Sequence, residues 1–181
     1  MIYTETKLRG AFVIEPELIR DDRGFFSYLF DAREAASHGL RVGVAQVKLS
    51  YNHRKGTLRG MHYQAPPSTE IKLIRCTRGA IWDVIVDVRP DSPTYLQSFG
   101  IDLTAENRKA LYVPQMFAHG YQTLQDDTEV VYQVDEFYSP KDERGMRWDD
   151  SALSLRWPLP VEVISKKDQA WPVLERRGGS L

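Results

Sequence analysis

The part of this chain that most restricts its fold is the run 80–89, where two kinds of side chain alternate at a period of two. Ala80, Trp82, Val84, Val86 and Val88 fall on one side, and Ile81, Asp83, Ile85 and Asp87 fall on the other. Successive strand residues point to opposite faces, so this period predicts a strand with one apolar face and one face mixing acids with aliphatics. Residues 129–134 alternate in the same way, with Val130, Tyr132 and Val134 sharing a side. Further strands are expected at 12–18, 43–51, 71–77, 97–103 and 109–113. Turn signals separate them: Arg78-Gly79, Arg89-Pro90-Asp91-Ser92-Pro93 and Thr104-Ala105-Glu106-Asn107. Many short strands so spaced predict a mainly β fold, an antiparallel sandwich or barrel of the jelly-roll kind. One helix stands out, with Asp31 as its cap, Glu34 three residues on as in a capping box, and Gly39 at its end. A second short helical turn is expected in Ser165-Lys166-Lys167-Asp168, Pro158 and Pro160 mark the exit from the sheet, and 176–181 reads as a frayed tail.

The 181 residues, 42% of them hydrophobic, fit one domain over 1–181 with a sizeable core. A formal charge of −1 argues against nucleic acid or a membrane surface as partner, although a local group of Arg and Lys can still hold a phosphate. Cys76 is the single cysteine and cannot form an internal disulfide. The start, Met1-Ile2-Tyr3-Thr4-Glu5-Thr6-Lys7, lacks a signal-peptide pattern, and no apolar run approaches the ~18–20 residues of a membrane span. A soluble, cytoplasmic protein is expected.

Several residues have two readings each. His62, after a glycine and near an expected strand start, is either a hydrogen-bonded structural histidine or a base. Lys72, flanked by Ile71, Leu73 and Ile74, either snorkels at a sheet edge or points into a polar cavity. Read alone, Tyr132 is a core aromatic and Asp168 the acid of a helix-starting Ser-x-x-Asp box. His62 and His119 on different strands raise the question of a metal, but Gln64 stands where a metal-binding His-x-His would have its second histidine. Glu70 is then the remaining ligand, and the expectation is no metal. Cys76 reads as a small buried residue rather than a nucleophile. Arg23, Lys48, Arg59 and Lys72 lie in or beside expected strands and would form a diphosphate site if they converge. No glycine-rich phosphate loop is present.

An ordered set of segments now becomes specific. It comprises Asp22-Arg23-Gly24-Phe25-Phe26, Leu58-Arg59-Gly60-Met61-His62-Tyr63-Gln64, Lys72-Leu73-Ile74-Arg75-Cys76 and Asp83-Val84-Ile85-Val86-Asp87-Val88-Arg89. Ser92-Pro93-Thr94, Phe117-Ala118-His119-Gly120, Tyr132, Tyr138-Ser139-Pro140 and Lys167-Asp168 complete it. Together they resemble the dTDP-4-dehydrorhamnose 3,5-epimerase family of nucleotide-sugar epimerases, over roughly residues 10–175. The resemblance implies a cupin-type antiparallel jelly roll with a few short helices, a homodimer with strand exchange, a nucleotide-diphosphate sugar as substrate, and catalysis without metal or organic cofactor. It places His62 as base, Asp168 as its orienter with Asp83 as the alternative, Lys72 beside the enolate oxygen, and Tyr132 as the acid. Arg23, Phe26, Gln46, Lys48, Arg59, His119 and Tyr138 are placed around the ligand. The chain departs from the family where Gln-Asp-Asn-His-Ser becomes Gln46-Val47-Lys48-Leu49-Ser50, and where the acid after Arg-Gly-Phe-Phe becomes Tyr28. The function expected is inversion at C3, C5 or both of a nucleotide-activated 4-keto-6-deoxy sugar. The alternatives are a single-centre epimerase on another nucleotide sugar and a non-catalytic sugar-nucleotide binding module.

Overall fold

A computed structural model of the chain describes residues 1–41 and 43–174; the tail expected at 176–181 lies outside them. In chain order the elements begin with β1 (Ile2–Glu5), β2 (Phe12–Glu15), β3 (Ile19–Asp21), β4 (Gly24–Phe26), α1 (Ala32–Ser37) and β5 (Gln46–Asn52). Then come β6 (Thr57–Gln64), β7 (Lys72–Arg78), β8 (Ala80–Asp87), β9 (Ser98–Thr104) and β10 (Ala110–Val113). The last are β11 (Phe117–Thr123), β12 (Thr128–Val134), β13 (Glu143–Gly145), β14 (Val163–Ile164) and α2 (Lys166–Gln169).

Two sheets carry the fold. The first runs β1-β2-β10-β7-β12-β5, and the second runs β13-β6-β11-β8-β9 with β14 beside β6. Pairing is antiparallel throughout the two orders, and β14 joins β6 in parallel. The sheets face one another across a shared core, to which β7 gives Ile74, β10 gives Leu111, β8 gives Ile81 and Ile85, and β12 gives Val130. Each such side chain, removed from water, contributes about 1.5–3 kcal/mol.

The alternation over 80–89 explains β8. Ile81 and Ile85 enter the core between the sheets, while Val84 and Val86 point outward beneath Met146 and Leu153. The acids of the mixed face are fully buried and paired. Asp87 accepts from Arg89, Ser92 and Thr94, and Asp83 meets His119. Strand ends differ from expectation by a few residues. The strand expected over 12–18 stops at Glu15, where Pro16 has no N–H to continue the ladder. Asp31 caps α1 as expected, accepting from the N–H groups of Arg33 and Glu34. Glu34 does not close a capping box; its carboxylate holds the Met1 ammonium at 2.8 Å.

His62 does not lie near a strand start. It is the sixth residue of β6, whose order of Thr, Leu, Arg, Gly, Met and His has no clean period of two. Gly60 breaks the pattern for a physical reason: at φ +124 a Cβ there would come within 2.5 Å of the Gly120 Cα. Two facing glycines let β6 and β11 approach closely, and His62 and His119 fall opposite one another in the register. No helix among the described residues is long and apolar enough to cross a membrane.

Candidate active site

Between the two sheets opens a cavity of ≈ 460 Å³, a size suited to a small ligand. The first sheet lends it Lys48 from β5, Lys72 from β7 and Tyr132 from β12; the second lends Arg59 and His62 from β6 and His119 from β11. Asp168 and Tyr138 also line it.

His62 and Asp168 are partners across 106 residues of sequence, with Nε2 2.6 Å from Oδ1. A carboxylate only accepts, so Nε2 carries the hydrogen and Nδ1 keeps its lone pair. The pair is built by β14, which lies alongside the start of β6 and delivers the chain into α2. Ser165 caps α2, but through the Asp168 backbone N–H at 3.0 Å, leaving the carboxylate to His62. Asp168 therefore stands in the first turn of α2 through its backbone and meets His62 through its side chain. Its second oxygen accepts from the Gly60 N–H at 3.3 Å. Burial pushes the Asp168 carboxyl up, but the hydrogen bond and charge of His62 and the Gly60 amide outweigh it, so the group sits below the usual carboxylate range.

Lys72 takes the polar-cavity alternative. Its strand is interior to the first sheet, and its side chain is only 9% exposed. Nζ donates to the His62 carbonyl oxygen at 3.2 Å and pairs with Glu70 Oε1 at 3.1 Å. Tyr132 faces the cavity from the next strand. Burial, reinforced by Tyr121 and opposed by Arg59, raises its phenol, which keeps the proton in place. Lys48 Nζ lies 5.9 Å from the Tyr132 ring centre and 5.7 Å from that of Tyr138. Arg59 is held by Asn52 Oδ1 at 2.7 Å, and Tyr138 donates its hydroxyl to Glu143 at 2.7 Å.

Of the four cations expected to converge, Lys48, Arg59 and Lys72 do so. Arg23 does not: it sits on the β3–β4 hairpin, 90% exposed and paired with Asp21. Phe26 lies on the same hairpin and is also exposed, as is Tyr28 beside it. The hairpin carries these side chains away from this chain's own cavity. Gln46 is not a wall residue; its side-chain oxygen accepts from the Tyr138 N–H at 3.2 Å and so supports that loop. Asp83, the alternative orienter of His62, lies 2.7 Å from His119 Nε2 instead, because β8 places it beside β11 rather than β6.

The relationship to known proteins agrees with this geometry. The family model described as dTDP-4-dehydrorhamnose 3,5-epimerase matches residues 5–176. This chain belongs to that family. A dTDP-4-dehydrorhamnose 3,5-epimerase of Sinorhizobium fredii is 40% identical over 175 residues, covering 96% of this chain and 90% of the relative. The crystal structure of the Bacillus anthracis enzyme of that name, with TDP and PPi bound, has a TM-score of 0.92 at 42% identity, covering 96% of this chain and 99% of that one. The Legionella pneumophila epimerase in complex with dTDP-4-keto-L-rhamnose has a TM-score of 0.88 at 34% identity, covering 95% and 92%. The fold is accordingly the cupin-type jelly roll of these epimerases.

Some wall residues of this epimerase-family site had no sequence signal. Glu143 lies in Lys141-Asp142-Glu143-Arg144, which reads as a solvated charge run, yet it anchors both Tyr138 and Lys167. Trp171 sets its ring edge-on to His62, with centres 6.1 Å apart. Gly145 leaves the space for that ring, since a Cβ there would fall 2.2 Å from it. Cys76 is buried, and burial pushes its thiol up to about 11, consistent with the inert reading. Among the described residues, no group of three or more His, Cys, Asp or Glu is placed to hold a metal ion.

Proposed function

We propose that this chain is an isomerase that inverts C3 and C5 of dTDP-4-keto-6-deoxyglucose through enolates, with His62 as base and Tyr132 as acid. One observation carries the reading: the base and the acid project from opposite sheets into one cavity, with an ammonium beside the base. A 4-keto group acidifies the hydrogens on C3 and C5, because the electrons left behind delocalise onto the ketone oxygen. Nδ1 of His62 takes the proton from one face, and Asp168 steadies the imidazolium that results. Lys72 offers its ammonium to the developing oxyanion, a contribution of about 3–4 kcal/mol at comparable sites. Tyr132 returns a proton from the other face, and solvent resets both groups. Written this way, the chemistry calls on neither a metal nor an organic cofactor.

Arg59, Lys48 and His119 hold the diphosphate and sugar, and Tyr138 lies against the base of the nucleotide. The names of the relatives support dTDP as the carrier. A homodimer is supported by two features. The edge strand β5 presents Val47 at 59% and Leu49 at 63% exposure, and the β3–β4 hairpin holds Arg23 and Phe26 exposed, away from this chain's own cavity and free to meet a second copy. We read the chain as one domain acting in the cytoplasm, where a free, buried Cys76 is stable.

Incubation with dTDP-4-keto-6-deoxyglucose in deuterated water tests the proposal. Deuterium at both C3 and C5 is expected. Label at one carbon alone assigns the chain to single-centre epimerases, and no label at either excludes this substrate.

A further inference from the structure

Lys72 does not stand alone in the cavity wall. Glu70 lines the same cavity two residues earlier, with its side chain only 8% exposed. Its Oε1 is 3.1 Å from Lys72 Nζ, while Oε2 is buried with no hydrogen-bond partner. The other carboxylates of the wall are engaged: both oxygens of Asp168 by His62 and Gly60, and Oε2 of Glu143 by Tyr138 and Lys167. A buried carboxylate oxygen left unsatisfied is costly, and a ligand hydroxyl would satisfy it.

The cavity therefore presents a strong donor and a strong acceptor side by side. In an α-hydroxyketone, two oxygens sit on adjacent ring carbons, and one of them only accepts while the other can donate. We propose that Lys72 and Glu70 together read the C4 ketone and the C3 hydroxyl of the substrate: the ammonium donates to the C4 oxygen, and Glu70 Oε2 accepts from the hydroxyl on C3. C5 carries a methyl group and the ring oxygen, so the C5 side of the ketone offers no such donor. The pair thus fixes which edge of the sugar faces β7 and makes Glu70 a specificity residue. This assignment rests on the epimerase reading above.

The test compares dTDP-4-keto-6-deoxyglucose with its 3-deoxy analogue, following deuterium exchange at C5, which both sugars retain. The protein as it stands is expected to prefer the parent sugar roughly 10- to 100-fold in kcat/KM. In Glu70→Ala that preference falls toward unity, chiefly because the parent sugar slows. Glu70→Gln keeps the volume and the contact to Lys72 through its amide oxygen, and is expected to fall between the two. A folding defect slows both sugars alike and leaves their ratio untouched. An unchanged ratio in both variants overturns the role of Glu70. Absence of exchange with either sugar in the unaltered protein overturns the epimerase reading and this assignment with it.

Discussion

His62→Asn is expected to lower kcat by between about 10² and 10⁴, the range that a positioned general base supplies. Asparagine is smaller than histidine and its amide stands near the place of Nδ1, so the bond from Nε2 to Asp168 is lost while the carboxylate keeps the Gly60 N–H as a donor. What also disappears is the lone pair of Nδ1. The cations proposed to hold the diphosphate, Lys48 and Arg59, lie on other positions of the wall and are untouched. The expected signature is therefore a large fall in turnover with an unchanged dissociation constant for dTDP, measured by calorimetry. Turnover at the normal rate would remove His62 from the mechanism.

Lys72→Met is the second large effect. Methionine retains most of the apolar stem but presents no charge to the enolate oxygen, so kcat falls by about 10²- to 10³-fold. A further consequence follows from the neighbour. With Lys72 gone, Glu70 is left as a buried carboxylate without its counter-ion, and the protein should also lose thermal stability. Adding Glu70→Gln removes that charge. The double variant is expected to recover most of the lost Tm and little of the lost rate, which separates the structural role of the pair from its chemical one. Recovery of rate along with Tm would show that Lys72 acts only through folding.

The same residues show what a sequence makes legible. The period of two over 80–89 belongs to a strand in the middle of a sheet, where alternate side chains meet two different apolar layers, so β8 could be read directly. β6 could not, because its pattern obeys the close approach of Gly60 to Gly120 rather than the burial of one face. Asp168 was visible as a capping acid within four residues, but its bond to His62 spans 106, and only the pairing of β14 with β6 brings the two together. Lys72 could be read as either of two things because local apolar neighbours do not reveal whether a strand is central or at an edge. Arg23 and Phe26 carry a family motif, yet the turn Asp22-Arg23-Gly24 makes a hairpin that leads away from the cavity. Glu70 could be read only as a possible metal ligand and Glu143 gave no signal, since a carboxylate beside a lysine or in a charged run looks the same whether solvated or buried.

In the proposed mechanism, His62 removes a proton on one face of the sugar and Tyr132 supplies one on the other. Tyr132→Phe in deuterated water tests it most directly, because only the phenol oxygen is removed while His62, Asp168 and Lys72 remain. Recovered dTDP-4-keto-6-deoxyglucose is expected to gain deuterium with its configuration retained, while inverted product falls by about 10²-fold or more. Inversion at the unaltered rate, or loss of exchange and inversion together, would contradict it.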